Sequence, residues 1–210
     1  MEKELFGRFC NYCVYWIEGK DDTGKRKIKK IKAVSQAFAL REAVAAGIAE
    51  PVVFKSEALE PPTERQLALA KKINLNIPEG CTKDDLGTLL SRYMDFDGDK
   101  DPDPGLFCYA QDCGVCFSSL TGESGLLESM IAQLCLRDRA VLFAYAVHVS
   151  RTGGSFKDPR LDPAASAFEK FADMAEADPG LRKSLEGRGR CDYQSPNSRS
   201  KAYKAALSCF

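Results

Sequence analysis

Nine cysteines, a single histidine and a run of lysines are the residues here whose types and spacing carry chemistry. Cys108, Cys113 and Cys116 stand in the order Cys-x4-Cys-Gly-Val-Cys. A Cys-x2-Cys turn presents two thiolates to a tetrahedral zinc ion, and Cys108 is placed to be a third ligand. Cys113-Gly-Val-Cys116 also has redox-dithiol spacing, but no βαβ pattern surrounds it. Cys10 and Cys13 share the spacing inside a strand-like run, where residues three apart face opposite sides. The expectation is therefore no cofactor, with zinc on Cys108, Cys113 and Cys116 as the alternative. His148 lies in an apolar helical stripe, and Ser150, two positions on, does not share its face. Asp95 to Asp103 superficially resembles a calcium loop. Its sixth position is Lys100 where glycine is needed, and its twelfth is Leu106 where a glutamate is needed. No phosphate-binding glycine loop of the Gly-x-Gly-x-x-Gly or P-loop type occurs. Arg151-Thr-Gly-Gly-Ser155 reads as a helix stop or an anion cradle. These patterns predict a protein that is not an enzyme.

Charge is the stronger signal. Lys25, Arg26, Lys27, Lys29, Lys30 and Lys32 place six cations in eight residues. On a strand they occupy both faces, which suits an edge strand guarded against aggregation. They also suit a ribbon that tracks phosphates, with Tyr12, Tyr15 and Trp16 adding stacking. A second basic stretch runs from Arg182 to Lys204, seven cations against two acids, and includes Arg188, Arg190, Lys201 and Lys204. The whole chain is neutral, with 30 basic and 30 acidic residues, so attraction to a polyanion must be local.

The elements that must position these residues are legible in outline. At 210 residues and 44% apolar, the chain can build one large or several small cores. Residues 1–59 read as a ββαβ unit: strand-like Leu5–Glu18, a turn over Gly19–Gly24, strand Lys25–Val34, a helix capped by Ser35 and ended by Gly47, and strand Pro51–Phe54. Glu57–Pro62 is a linker stiffened by two prolines. Residues 63–93 read as two helices. Thr63 with Gln66 forms a capping box, and Leu67, Ala70 and Ile73 give the first helix its apolar face. Thr82 caps the second, with Leu86, Leu89, Leu90 and Tyr93 on one stripe. Asp95–Gly105 is an acidic loop, and 106–210 is a mostly helical domain. The predicted fold class is α+β: an N-terminal ββαβ unit, a central helical pair and a mostly helical C-terminal domain. No leader and no apolar run near about 20 residues is visible, so no membrane segment is expected and a cytoplasmic location is.

Residues 62–93, from Pro62-Thr-Glu-Arg-Gln-Leu to Pro78-Glu-Gly-Cys-Thr-Lys-Asp-Asp-Leu, resemble the SAP and related helix-extended-helix modules, and are similar to segments of phage and mobile-element proteins. The resemblance implies contact with a DNA or RNA backbone, in which Lys71, Lys72 and Lys83 join Lys25–Lys32 and the basic tail as phosphate ligands. A lysine beside a helix N-terminus is an anion site. The resulting expectation is a non-catalytic nucleic-acid-binding protein of low sequence specificity. The alternative is a protein inhibitor of a bacterial defence nuclease, of the anti-CRISPR type, whose partner would be that host effector.

Overall fold

The computed structural model describes residues 8–94 and 99–210. The fold is α+β: a three-stranded antiparallel sheet of ββαβ order, followed by a mostly helical region. The chain divides into two compact units. One comprises residues up to 99 together with 114–121; the other comprises 100–113 and 122–210.

In the first unit β1 (Cys13–Lys20) is the central strand, between β2 (Arg26–Ala33) and β3 (Ala49–Glu57). The β1–β2 hairpin closes on Asp21, whose carboxylate accepts from the Thr23 amide and hydroxyl and from the Lys25 amide. Helix α1 (Gln36–Ala45) starts at Ser35, whose hydroxyl accepts from the Phe38 amide. α1 covers one face of the sheet. Cys13, Tyr15 and Ile17 of β1, with Ile31 and Ala33 of β2, are buried there against Ala39, Ala43 and Ile48. Strand side chains alternate, so Trp16, Glu18 and Lys20 project from the other face. At Gly19 even a Cβ would meet Ile48 Cγ2 at 2.3 Å and the Ala49 carbonyl at 2.5 Å, so β3 can only approach β1 this closely where no side chain intervenes.

Helices α2 (Glu64–Lys72) and α3 (Lys83–Met94) form the pair. The Thr63–Gln66 capping box is present, and Gln66 Nε2 also donates to the Lys83 carbonyl at 2.8 Å. Ala70, Leu86 and Leu90 are buried together, with Leu69, Ile73, Leu75, Ile77 and Leu89 packed around them. Leu67 and Tyr93, expected on the apolar stripes, are instead 42% and 54% exposed, because the contact between two short helices is narrower than either stripe.

The division of the chain does not follow sequence order. Residues 114–121, read from the sequence as part of a continuous domain over 106–210, are held in the first unit by Asn11. Its amide donates to the Phe117 carbonyl, its side chain donates to the Val115 carbonyl, and its side-chain oxygen accepts from the Phe117 amide. The Ser119 amide donates to the Phe9 carbonyl at 2.8 Å.

The second unit contains α4 (Pro104–Asp112), α5 (Glu123–Gln133), α6 (Leu136–Thr152), α7 (Ala165–Ala177), α8 (Pro179–Leu185), α9 (Arg190–Gln194) and α10 (Lys201–Leu207). α6 is the central rod: Ala140 to Val147 are all buried, the all-round apolar pattern of an enclosed helix. Phe143 packs edge-on against Tyr193 and tilted against Phe171. Arg137 ties α6 to α7 by pairing with Glu169, Asp173 and Glu176. Asp103, Asp178 and Ser200 cap α4, α8 and α10. Of the expected acidic loop, residues 95–98 lie outside the described residues. Among the described residues, no helix is long and apolar enough to cross a membrane.

Candidate nucleic-acid interface

The open face of the sheet gathers several of the expected residues and adds others. Register places Lys30 opposite Trp16 and Arg26 opposite Lys20 on β1 and β2, and Lys55 opposite Trp16 on β3. Opposed residues share a face, so Lys20, Arg26, Lys30, Lys55 and Trp16 all stand on the side away from α1. Phe54, in a bulge of β3, brings its ring to 6.5 Å from the Trp16 ring. Ile28, Val52 and Phe54 are 46%, 62% and 51% exposed, apolar side chains left in water. A depression of about 420 Å³ runs beside Phe54 and Val52, between Lys20 and Arg26.

The cations of this face are matched by carboxylates. Arg26 holds Glu18 with both arms, Lys20 meets Glu50 at 2.7 Å, and Glu57 takes both Lys55 and Lys30. Glu57 also accepts from the Trp16 indole N–H at 2.8 Å, which fixes the ring. The neighbouring lysine and indole hold the Glu57 carboxyl below its usual range, and Arg26 does the same for Glu18. Lys30 also lies 5.4 Å from the centroid of the Trp16 ring. Exposed pairs of this kind contribute only about 0–1 kcal/mol each, so the lysines can exchange partners at little cost.

The expected aromatic partners divide. Tyr15 is buried beneath α1, and Tyr12 is buried where its hydroxyl donates to Asp84 of α3 at 2.8 Å. Only Trp16 of the three reaches the open face. The signal that separates them is in the sequence of β2: Ile31 and Ala33 mark the inward side, and their partners across the sheet are Tyr15 and Cys13. Phe54 was missed because a short third strand was expected to end on it.

Lys32 pairs with Asp84, and Lys83 with Glu60 at 3.0 Å, so both stand at the N-terminus of α3. Lys83, with Lys30 at longer range, holds the Glu60 carboxyl low. Lys25, Lys27 and Lys29 are exposed, but Lys27 and Lys29 project on the α1 side, away from Lys30. Lys71 and Lys72 are exposed in the last turn of α2.

In the second unit the basic tail is largely committed internally. Arg188, expected as a phosphate ligand, has a side chain only 10% exposed. It donates to the Ser184 carbonyl, lies 4.6 Å from the Phe143 ring centroid and sits 3.6 Å from Asp192. The guanidinium is planar and weakly hydrated, which is why it is the cation that packs here. Lys201 pairs with Asp178 at 2.7 Å, Arg190 is partly buried at the start of α9, and Lys204 is exposed.

Cys108 and Cys113, five apart at α4, are about 140° apart around a helix axis, and Cys116 follows in the 114–121 segment. Among the described residues, no group of three or more histidine, cysteine, aspartate or glutamate side chains is placed to hold a metal ion. Burial, with Asp138 nearby, pushes the Cys113 thiol up to about 11, and burial pushes Cys116 up to about 12. His148 packs against Phe168 and Phe210, 3.7 Å from Asp162.

A buried polar cluster lies behind the helical pair. Asp85, read from the sequence only as an acid near a helix start, is fully buried. Its Oδ1 accepts from Cys10 Sγ at 3.0 Å and Ser118 Oγ at 2.6 Å; its Oδ2 accepts from the Thr82 amide and hydroxyl at 2.9 and 2.8 Å. Burial and the Asp85 carboxylate push the Cys10 thiol up to about 12, the protonated and unreactive form. This cluster joins three distant stretches of chain and has the character of a structural tie.

Comparison with family models, with curated proteins and with solved structures finds no match for the chain.

Proposed function

We propose that this protein is a non-catalytic nucleic-acid-binding protein that uses the open face of its N-terminal sheet. The observation that carries the reading is the pairing of Trp16 and Phe54, side by side on the open strand face, with Lys20, Arg26, Lys30 and Lys55 around them. Aromatic rings for bases and ammonium groups for phosphates are the two ingredients of such a surface. Charge supports it: residues 8–57 hold ten basic against six acidic side chains, a net +4 in a neutral chain. The likeness of residues 62–93 to SAP-type modules points the same way, with Lys83 next to the sheet's Lys32 across Asp84. Contacts of this type position a backbone without reading sequence, so specificity is low.

One observation favours a second reading. The open face is almost electrically balanced, with Glu18, Glu50 and Glu57 among its four cations, and it exposes Ile28 and Val52. A mixed apolar and ion-paired patch also suits a polypeptide, such as a bacterial defence nuclease that the protein would inhibit.

Salt titration separates the two. With two to three phosphates neutralised, log affinity for labelled DNA or RNA falls against log salt with a slope of about −2. Absence of binding to either nucleic acid at low salt would overturn the reading and leave the polypeptide target.

A further inference from the structure

Building on the nucleic-acid reading, we propose that the open sheet face selects single strands over duplex, stacking two unpaired bases on Trp16 and Phe54.

Ring spacing comes first. Successive bases within one strand of a duplex rise about 3.4 Å. The Trp16 and Phe54 centroids are 6.5 Å apart and their planes are tilted by 55°. Rings so placed match bases that have separated and splayed, which a duplex does not offer. Within a duplex the π-faces are already covered by neighbouring pairs, and the two rings would gain nothing there.

Charge density decides in the same direction. A duplex carries one phosphate charge per about 1.7 Å of axis, twice that of one of its strands. The face answers with Lys20, Arg26, Lys30 and Lys55 against Glu18, Glu50 and Glu57, a net +1. Such a surface repels the dense line of phosphates almost as much as it attracts it. A single strand asks less of the electrostatics and brings stacking in exchange. Lys30, already 5.4 Å from the Trp16 centroid, holds a phosphate next to the base on that ring. The indole is fixed by its hydrogen bond to Glu57, so little ordering remains to be done on binding.

Trp16 is the sole tryptophan of the chain, so its fluorescence reports this face alone. Full-length protein is titrated with an oligopyrimidine of about eight nucleotides, the length one small binding face covers, and with the same sequence annealed to its complement. The expected result is quenching by the single strand and at least tenfold weaker binding of the duplex. Phe54→Ala is expected to weaken single-strand binding about tenfold, the loss of one base–aromatic stack. Its melting temperature should be unchanged, because the ring is half exposed. Duplex binding as tight as single-strand binding, or binding without quenching and without effect of Phe54→Ala, overturns the inference while the nucleic-acid reading stands. Binding of neither form at low salt overturns both. Quenching by an acidic peptide but by neither oligonucleotide also overturns both and assigns the face to a polypeptide.

Discussion

Replacing Asp85 by alanine tests how the first unit is held together. The carboxylate accepts from the Thr82 amide and hydroxyl, from Ser118 and from Cys10, and none of these groups is exposed to water. The Thr82 cap of α3 survives, because its hydroxyl accepts from the Asp85 amide, but the reciprocal bond from the Thr82 amide to the carboxylate is lost. The Ser118 hydroxyl and the Thr82 amide, left buried without an acceptor, cost about 1–3 kcal/mol each. The Cys10 thiol is a weak donor and adds little, and removing a buried charge returns part of the loss. The sum is roughly 3–5 kcal/mol, or about 10 °C in melting temperature at about 2–4 °C per kcal/mol for a chain of this size. Thermal unfolding followed by circular dichroism, with urea titration for the free energy, reads both. Asp85→Asn keeps the volume and one acceptor oxygen, so its loss should be intermediate. If Asp85→Ala melts within about 3 °C of the parent, the carboxylate is not what ties Cys10, α3 and Ser118 together, and the reasoning fails.

Two further substitutions and a labelling experiment check other parts of the structure. Gly114 has φ +78°, and a Cβ there would fall 2.0 Å from the Phe38 ring, whereas Gly24, also at φ +78°, has open space around it. Gly24→Ala should therefore cost only the left-handed backbone penalty, about 1–2 kcal/mol, while Gly114→Ala adds an overpacking cost of about 1–3 kcal/mol; equal urea midpoints for the two would refute the packing. Timed alkylation at pH 8, read by mass spectrometry, should label exposed Cys108 and Cys191 first. Cys10 and Cys116, with thiols pushed up to about 12, are ionised to roughly one part in ten thousand at that pH. Early labelling of Cys10 would show that the Asp85 cluster is open to solvent.

Local chemistry was readable without coordinates. Ser35 and Thr63 with Gln66 cap helices because a cap is satisfied within three residues of itself. The lysine-rich strand sits at a sheet edge, where cations on both sides remain in water. The candidate interface was half readable. Trp16, Lys30 and Arg26 were named from composition and spacing, whereas Phe54, Lys20 and Lys55 entered only when β3 paired with β1.

The sequence by itself determined the order of elements through the helical pair, several of their caps, and the concentration of positive charge in the N-terminal unit. Tertiary structure alone decided which residues of β3 share the open face of β1, because that depends on the pairing register and its bulge. It alone withdrew Arg188 to the Phe143 ring, buried Asp85 where its own stretch meets two others, and returned residues 114–121 to Asn11. Each of these joins groups 33 to 106 positions apart, or turns on how one strand pairs with another. No periodicity or spacing within a short window encodes such a contact, since it forms only when remote apolar faces find each other and carry their polar neighbours with them.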